Sequence, residues 1–172
     1  MPYVLTYVKR FGFNAKKLPR NLSLALGTGE VTPIELARAY AVFANGGYRI
    51  TPYLIDHITN EQGQTIYKAE PKIACEACLR GEIPPPSADE KESPYAPQVI
   101  PADIAFLMTS ALKDVIRYGT GSQASILNRR DLAGKTGTTS DYVDTWFTGF
   151  NSNLVATVWI GFDQPSSVLE YG

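Results

Sequence analysis

Residues 132 to 150 read LAGKTGTTSDYVDTWFTGF, and the fold turns on how Gly134-Lys135-Thr136 is understood. The same letters close a phosphate-cradling P-loop or open a strand of the Lys-Thr-Gly type. A P-loop needs a glycine five residues before Gly134, because its backbone N–H groups close round phosphates without Cβ interference. Arg129 stands there. A P-loop also needs a helix opening at the lysine, so that the positive end of the dipole faces the phosphate. Here Gly137-Thr138-Thr139-Ser140-Asp141 is a run of poor helix formers. Beyond it, Asp144 to Phe150 is rich in aromatic and β-branched residues, Asn151-Ser152-Asn153 is a turn, and Leu154 to Phe162 reads as a second strand. The pattern predicts a β-hairpin with Lys135 on or just before a preceding strand, and it speaks against a nucleotide site.

Composition narrows the field further. A chain of 172 residues is long enough for one well-cored domain, which would bury roughly two-thirds of its unfolded surface. The net charge of -1 supplies no basic field for nucleic acid. No run of about 18 apolar residues is present to span a membrane, and no signal peptide opens the chain. Met1-Pro2-Tyr3 leads straight into the helix-like YVLTYVKRFGF, which reads as a start inside a larger protein.

Tyr3 to Phe13 has the pattern of a short amphipathic helix, and Asn14 to Gly29 that of a loop. Thr32-Pro33-Ile34-Glu35 is a capping box with proline at the first helical position. Ile34, Ala37, Tyr40, Ala41 and Ala44 keep helical spacing until Gly46-Gly47 ends the helix. Tyr48 to Thr59 and Gln64 to Lys68 read as two strands joined by a turn. Residues 70 to 100 carry Pro84-Pro85-Pro86, further prolines and scattered charges, a composition expected to form an irregular insertion with no core of its own. After Pro101 a second helix is expected to about Tyr118, with Ile104, Leu107, Met108, Ala111, Leu112 and Val115 as its apolar face, until Gly119-Thr120-Gly121 breaks it.

TPIELARAYAVFANGGYR, a helix ending in GTGSQA, then LAGKTGTT and DTWFTGF…VWIGFD together resemble the C-terminal part of the transpeptidase domain of class A penicillin-binding proteins. The superfamily signature is Ser-x-x-Lys, then Ser-x-Asn or Ser-Asp-Asn, then Lys-Thr-Gly. The resemblance implies an α/β (α+β) fold with an antiparallel sheet packed with helices, of the serine β-lactamase type and incomplete in this chain. It implies that residues 1–172 are a C-terminal portion of such a domain, with the upstream half, a glycosyltransferase domain and a membrane anchor preceding it, at the periplasmic face of the bacterial inner membrane. It further implies peptidoglycan D,D-transpeptidation: a serine takes the acyl group of a D-alanyl-D-alanine stem peptide and passes it to an amine, and β-lactams acylate the same serine. No cofactor, metal or nucleic acid is called for.

Within that resemblance Lys135 is a catalytic residue, the backbone N–H of Thr138 is one of two oxyanion-hole donors, and Thr136, Gly137, Thr138 and Thr139 bind substrate. The residue types suit a ligand ending in a carboxylate, since a cation and hydroxyls give charge-assisted hydrogen bonds about twice as strong as neutral ones. Strand alternation puts Thr136 and Thr138 on one face and Lys135 on the other, and Gly137, without a Cβ, leaves the backbone open to close approach. Glycine-threonine runs are also ordinary strand-edge composition, and the flanking segments tip the reading toward a site.

A literal Ser-x-x-Lys occurs at Ser110-Ala111-Leu112-Lys113. At about 100° per residue, Ser110 falls roughly 130° and Lys113 roughly 170° from the centre of the expected apolar face, on the solvated side, where neither can act as an activated nucleophile or its partner. No Ser-x-Asn occurs. The chain is therefore expected to carry the third motif without the nucleophile. The competing class is a non-catalytic, transpeptidase-like binding or scaffold module.

Cys75-Glu76-Ala77-Cys78 admits a local disulfide, free thiols, or part of a zinc site. Zinc wants four ligands, and the single histidine, His57, needs no metal to explain a surface strand position. The periplasmic location implied by the resemblance favours a disulfide, with free thiols as the alternative. Trp146, Phe147, Trp159 and Phe162 are assigned to hairpin packing.

Overall fold

The computed structural model describes residues 1–84 and 93–168; Pro85 and Pro86 of the proline run lie outside the described residues. Helix α1 spans Pro2–Val8 and continues as a 3-10 turn through Phe11. Helix α2 (Pro33–Ala44) starts on the capping box: Glu35 N–H donates to Thr32 Oγ1 at 3.3 Å and Thr32 N–H to Glu35 Oε2 at 2.9 Å. The backbone hydrogen bond from Thr32 holds the Glu35 carboxyl below its ordinary range.

Asn45 closes α2. Its amide donates to Tyr48 O and its Oδ1 accepts from Tyr48 N–H, while Gly46 and Gly47 take positive φ. A Cβ at Gly47 would lie 2.1 Å from the carbonyl oxygen of Ile100. The chain must pass this close because Gly47 O accepts from Val99 N–H at 2.8 Å, which ties the end of α2 to the start of helix α4 (Ala102–Tyr118).

Three strands, β3 (Ala133–Thr138), β4 (Thr145–Phe150) and β5 (Val155–Ile160), form an antiparallel meander in the order β3-β4-β5. Ala133 pairs with Phe150, and both pack with Leu112 of α4 against Tyr40, Phe43 and Ala44 of α2. A second cluster of Phe11, Ala39, Val42, Ile100 and Ala105 joins α1, α2 and α4. The fold is thus the expected mixture of helices and antiparallel sheet.

Three expectations are corrected. The strand expected over Tyr48 to Thr59 survives only as β1 (His57–Thr59), paired with β2 (Thr65–Lys68) in a ribbon exposed along its length. Tyr48 makes a single bridge to Gln98 instead, and Arg49 is tethered to the carbonyls of Lys9 and Arg10. Second, α4 does not bury the expected stripe. Ala105, Leu112 and Ile116 are its buried residues, and Thr109 Oγ1 donates to Phe43 O at 3.3 Å, so the packed face is rotated by roughly 100°. Small Ala105 and Thr109 permit the close approach, while Leu107 remains 60% exposed. Ser110 is exposed on either geometry, but Lys113 is half-buried rather than fully solvated.

Third, the described flanks of the proline-rich stretch are not without buried residues: they share a small core with Tyr48 from outside it. Ile73 and Tyr95 bridge in parallel, Ala96 N–H donates to Ile73 O at 2.7 Å, and a Cys75–Cys78 disulfide closes over the short helix α3 (Glu76–Leu79). Cys75, Ala96 and Tyr48 have no solvent exposure. Burial raises the Tyr48 phenol above its ordinary pKa. A four-residue ring and one large aromatic suffice here because the disulfide removes chain entropy that packing would otherwise have to offset.

The chain exposes 12236 Å², against roughly 8,300 Å² expected of a folded monomer of this mass. The excess includes the outer face of α4 (Phe106, Leu107, Met108) and the end of the sheet (Val158, Ile160, Phe162). No helix among the described residues is long and apolar enough to cross a membrane.

Candidate active-site strand

β3 is an edge strand, because its only sheet neighbour among the described residues is β4. Gly134 is explained by packing: a Cβ there would meet the Thr148 carbonyl oxygen at 2.8 Å and Phe147 Cζ at 3.0 Å. The glycine that mimics a P-loop is therefore required by its cross-strand neighbours. At Gly137 a Cβ would meet only Trp146 Cβ, at 3.4 Å.

The ladder fixes which backbone groups of β3 face outward. Thr139 N–H donates to Asp144 O at 3.0 Å, so these two form a hydrogen-bonded pair. Antiparallel pairs alternate. The Thr138/Thr145 and Thr136/Phe147 pairs are consequently of the non-bonded kind, and the N–H and C=O groups of Thr136 and Thr138 point away from β4, toward the open edge. An independent contact agrees: Lys135 Nζ reaches round to donate to Thr136 O at 2.8 Å. The result is an open edge bearing backbone donors and acceptors, with an ammonium group beside it.

Side chains alternate about this edge. Lys135 lies opposite Thr148, on the face shared with Ala133 and Phe150, and Thr136 and Thr138 lie on the other, opposite Phe147 and Thr145. Lys135 and Thr138 are exposed and Thr136 half-buried. The hydroxyl of Thr136 lies 2.7 Å from that of Thr120, in the turn that follows α4. Thr139 is arranged differently. Its Oγ1 accepts from Asp144 N–H at 2.8 Å, which commits it to closing the β3–β4 connection.

That connection is stiffly held. Trp159 Nε1 donates to Asp144 Oδ1 at 2.8 Å, and Trp159 packs on Trp146 with ring centroids 6.1 Å apart. Asp141 and Tyr142 both have positive φ, at 58° and 54°, a conformation that costs non-glycine residues of order 1–3 kcal/mol each. Of the aromatic residues assigned to packing, Trp146 and Phe147 are half-buried, Trp159 packs on Trp146 but stays 37% exposed, and Phe162 is 57% exposed. Ahead of β3, Arg129 Nη2 meets Asp131 Oδ2 at 2.6 Å and holds that carboxyl down to about 2.

The sequence places Lys135 on or just before a strand, and the structure has Lys135, Thr136, Gly137 and Thr138 on β3; that β3 is an edge is not legible in the sequence. Sequence reasoning also misses Thr120, whose only signal is its place between Gly119 and Gly121, and Asp144, whose anchoring role depends on a partner on β5. Ser110 lies on α4 and is not brought into this edge by any described contact.

Comparison with known proteins places the arrangement. Residues 8–170 match the family model described as the penicillin binding protein transpeptidase domain. Penicillin-binding protein 1A of Pseudomonas aeruginosa is 44% identical over 98% of this chain, which covers 24% of that relative. Penicillin-binding protein 1A of Neisseria meningitidis is 44% identical over 99% of the chain and 19% of the relative. The crystal structure of penicillin-binding protein 1A from Haemophilus influenzae superposes with a TM-score of 0.86 at 36% identity, covering 99% of this chain and 28% of the other. The chain thus spans about a quarter or less of the curated relatives it matches, and the family match over residues 8–170 shows that it belongs to the penicillin-binding protein transpeptidase family.

Proposed function

We propose that this chain forms part of a peptidoglycan D,D-transpeptidase of the serine acyltransferase kind, and that β3 is the substrate-binding edge of its cleft. The observation that carries the reading is the open edge itself: outward backbone groups at Thr136 and Thr138, with the Lys135 ammonium and two threonine hydroxyls at the same place. A stem peptide is an extended chain ending in a carboxylate. Its backbone can add to a free strand edge, and its carboxylate can accept from hydroxyls and an ammonium.

The roles follow from the chemistry. A serine on the upstream part of the domain, outside this chain, attacks the penultimate D-alanine carbonyl. Its hydroxyl proton passes to the nitrogen of the terminal D-alanine, which departs as a free amine as the peptide C–N bond breaks and the acyl–serine ester forms. Lys135 neutralises negative charge beside the reacting hydroxyls, and the Thr138 N–H donates to the developing oxyanion, where loss of one such donor costs roughly 3 kcal/mol. Thr136 and the Thr138 hydroxyl hold the carboxylate, and Gly137 admits the ligand. Thr139 contributes by fixing the end of the strand. The amine of a neighbouring stem peptide then takes the acyl group. The excess exposed apolar surface on α4 and β5 supports an upstream half that packs there, and a glycosyltransferase domain and a membrane anchor holding the enzyme at the periplasmic face are further parts of the proposed whole.

The test is acylation of the full-length enzyme by a fluorescent penicillin. Lys135→Ala is expected to slow it by about 10²-fold or more, the scale for loss of a key electrostatic contact. The isolated chain, which lacks the nucleophile, is expected to form no covalent adduct. Unchanged labelling of the Lys135→Ala enzyme would overturn the assignment of the site, and a full-length protein that takes no penicillin would favour a scaffold module.

A further inference from the structure

We infer that Thr120, which lies outside the Lys-Thr-Gly motif, is a positioning residue that sets the direction of the Thr136 hydroxyl and so the grip of the site on a carboxylate. The inference rests on the acyl-transfer reading of β3 given above. It starts from a single contact, the 2.7 Å approach of Thr120 Oγ1 to Thr136 Oγ1 across a sequence separation of 16.

The turn that carries Thr120 is built tightly. A Cβ at Gly119 would lie 3.0 Å from the Val115 Cα and carbonyl oxygen, and one at Gly121 would lie 2.8 Å from Ile116 Cδ1. Gly119 N–H and Gly121 N–H both donate to Val115 O at 3.1 Å. Ile116, in turn, is buried in the packed face of α4. The two glycines therefore press the turn onto the end of a core helix, and Thr120 is held between them against β3. A surface threonine on a loose loop would have no such constraint.

A hydroxyl has one proton to donate. If Thr136 donates to Thr120, it has nothing left for a ligand. If Thr120 donates to Thr136, the Thr136 proton is turned outward, and its oxygen, already accepting, is polarised as a donor. An arriving carboxylate selects the second arrangement, since it can only accept. Thr120 thus acts through Thr136: it supplies the proton that lets Thr136 give its own away. Its effect should appear only for ligands that bring a negative charge to this place.

The experiment compares Thr120→Val, which keeps the shape and loses the hydroxyl, with Thr120→Ser, which keeps the hydroxyl, in the full-length enzyme. Benzylpenicillin and its methyl ester are the probes. For benzylpenicillin, Thr120→Val is expected to lower the second-order acylation rate by about three- to tenfold, the scale of one hydrogen bond, with the loss in the noncovalent binding constant rather than in the acylation step. Thr120→Ser should recover most of that rate. For the ester, the penalty of Thr120→Val should shrink to within about twofold, since a neutral carbonyl gains less from a polarised donor. Wild-type rates for Thr120→Val, equal losses for Val and Ser, or an undiminished penalty with the ester would each overturn the proposal while leaving the transpeptidase reading intact. A wild-type enzyme that neither penicillin acylates would overturn that reading, and this proposal with it.

Discussion

The three-stranded sheet and the disulfide lobe show two ways of holding a chain in place. In the sheet, continuous antiparallel registers run from Ala133 to Ile160, and one end is sealed by Phe150, Ala133 and Leu112 against α2. In the lobe, two isolated bridges and a four-residue helix surround a small cluster in which, among the described residues, Tyr48, Cys75 and Ala96 are buried. The sheet is held by packing and a hydrogen-bond ladder, and the lobe by a covalent link. Since β3 belongs to the first kind, the candidate site is expected to keep its order whether or not the disulfide is formed.

The largest expected effect tests the sheet. Phe150, 2% exposed, meets Tyr40 edge-on at 6.0 Å between ring centroids; Phe150→Ala should cost about 3–5 kcal/mol. Calorimetry should show the loss, and hydrogen exchange should show it centred on β3 and β4. Replacing Cys75 and Cys78 together by alanine should cost about 2 kcal/mol on the chain-entropy scale for so short a ring. Exchange should then rise around residues 73–80 and 94–98 and stay unchanged over residues 133–160. Protection lost equally in both regions would erase the distinction.

A smaller effect is expected at the helix both regions share. Thr32→Ala removes the capping box of α2 and should cost about 1 kcal/mol, lowering the thermal midpoint without changing the disulfide. The smallest is electrostatic. The Asp131 carboxyl, held by Arg129, lies at about 2 in the folded chain against an ordinary 3.8. A lowered folded pKa stabilises above the ordinary value, and that contribution fades as pH falls through the folded one. The difference in thermal midpoint between wild type and Asp131→Asn should therefore be level above about pH 5 and vanish toward about pH 2. Because the pair is exposed, the difference should be slight at any pH and smaller still in high salt.

The sequence was most legible where a local rule acts alone. The Thr32 capping box, the stop at Gly46-Gly47, and the hairpin turn at Asn151-Ser152-Asn153 all depend on residues within a few positions of one another, and the structure has them. Legibility failed where two rules competed. Residues Tyr48 to Thr59 read as one strand, but Tyr48 packs beside Cys75 and Ala96, and of that stretch His57–Thr59 forms the strand. Apolar residues cover more than half the circumference of α4, so periodicity could not tell which part α2 and β3 would claim.

The sequence by itself determined that Lys135, Thr136, Gly137 and Thr138 would stand on a strand rather than round a phosphate, because glycine placement and β-propensity are local matters. It also determined that the two cysteines were close enough to join. Only the tertiary structure decided that β3 is an edge with the Thr136 and Thr138 backbone turned outward, since that depends on the pairing parity set by Thr139 and Asp144. The tertiary structure likewise chose the face of α4 that is buried and brought Thr120 to Thr136. These are contacts between residues distant in the chain, and no local preference encodes which distant surface will arrive.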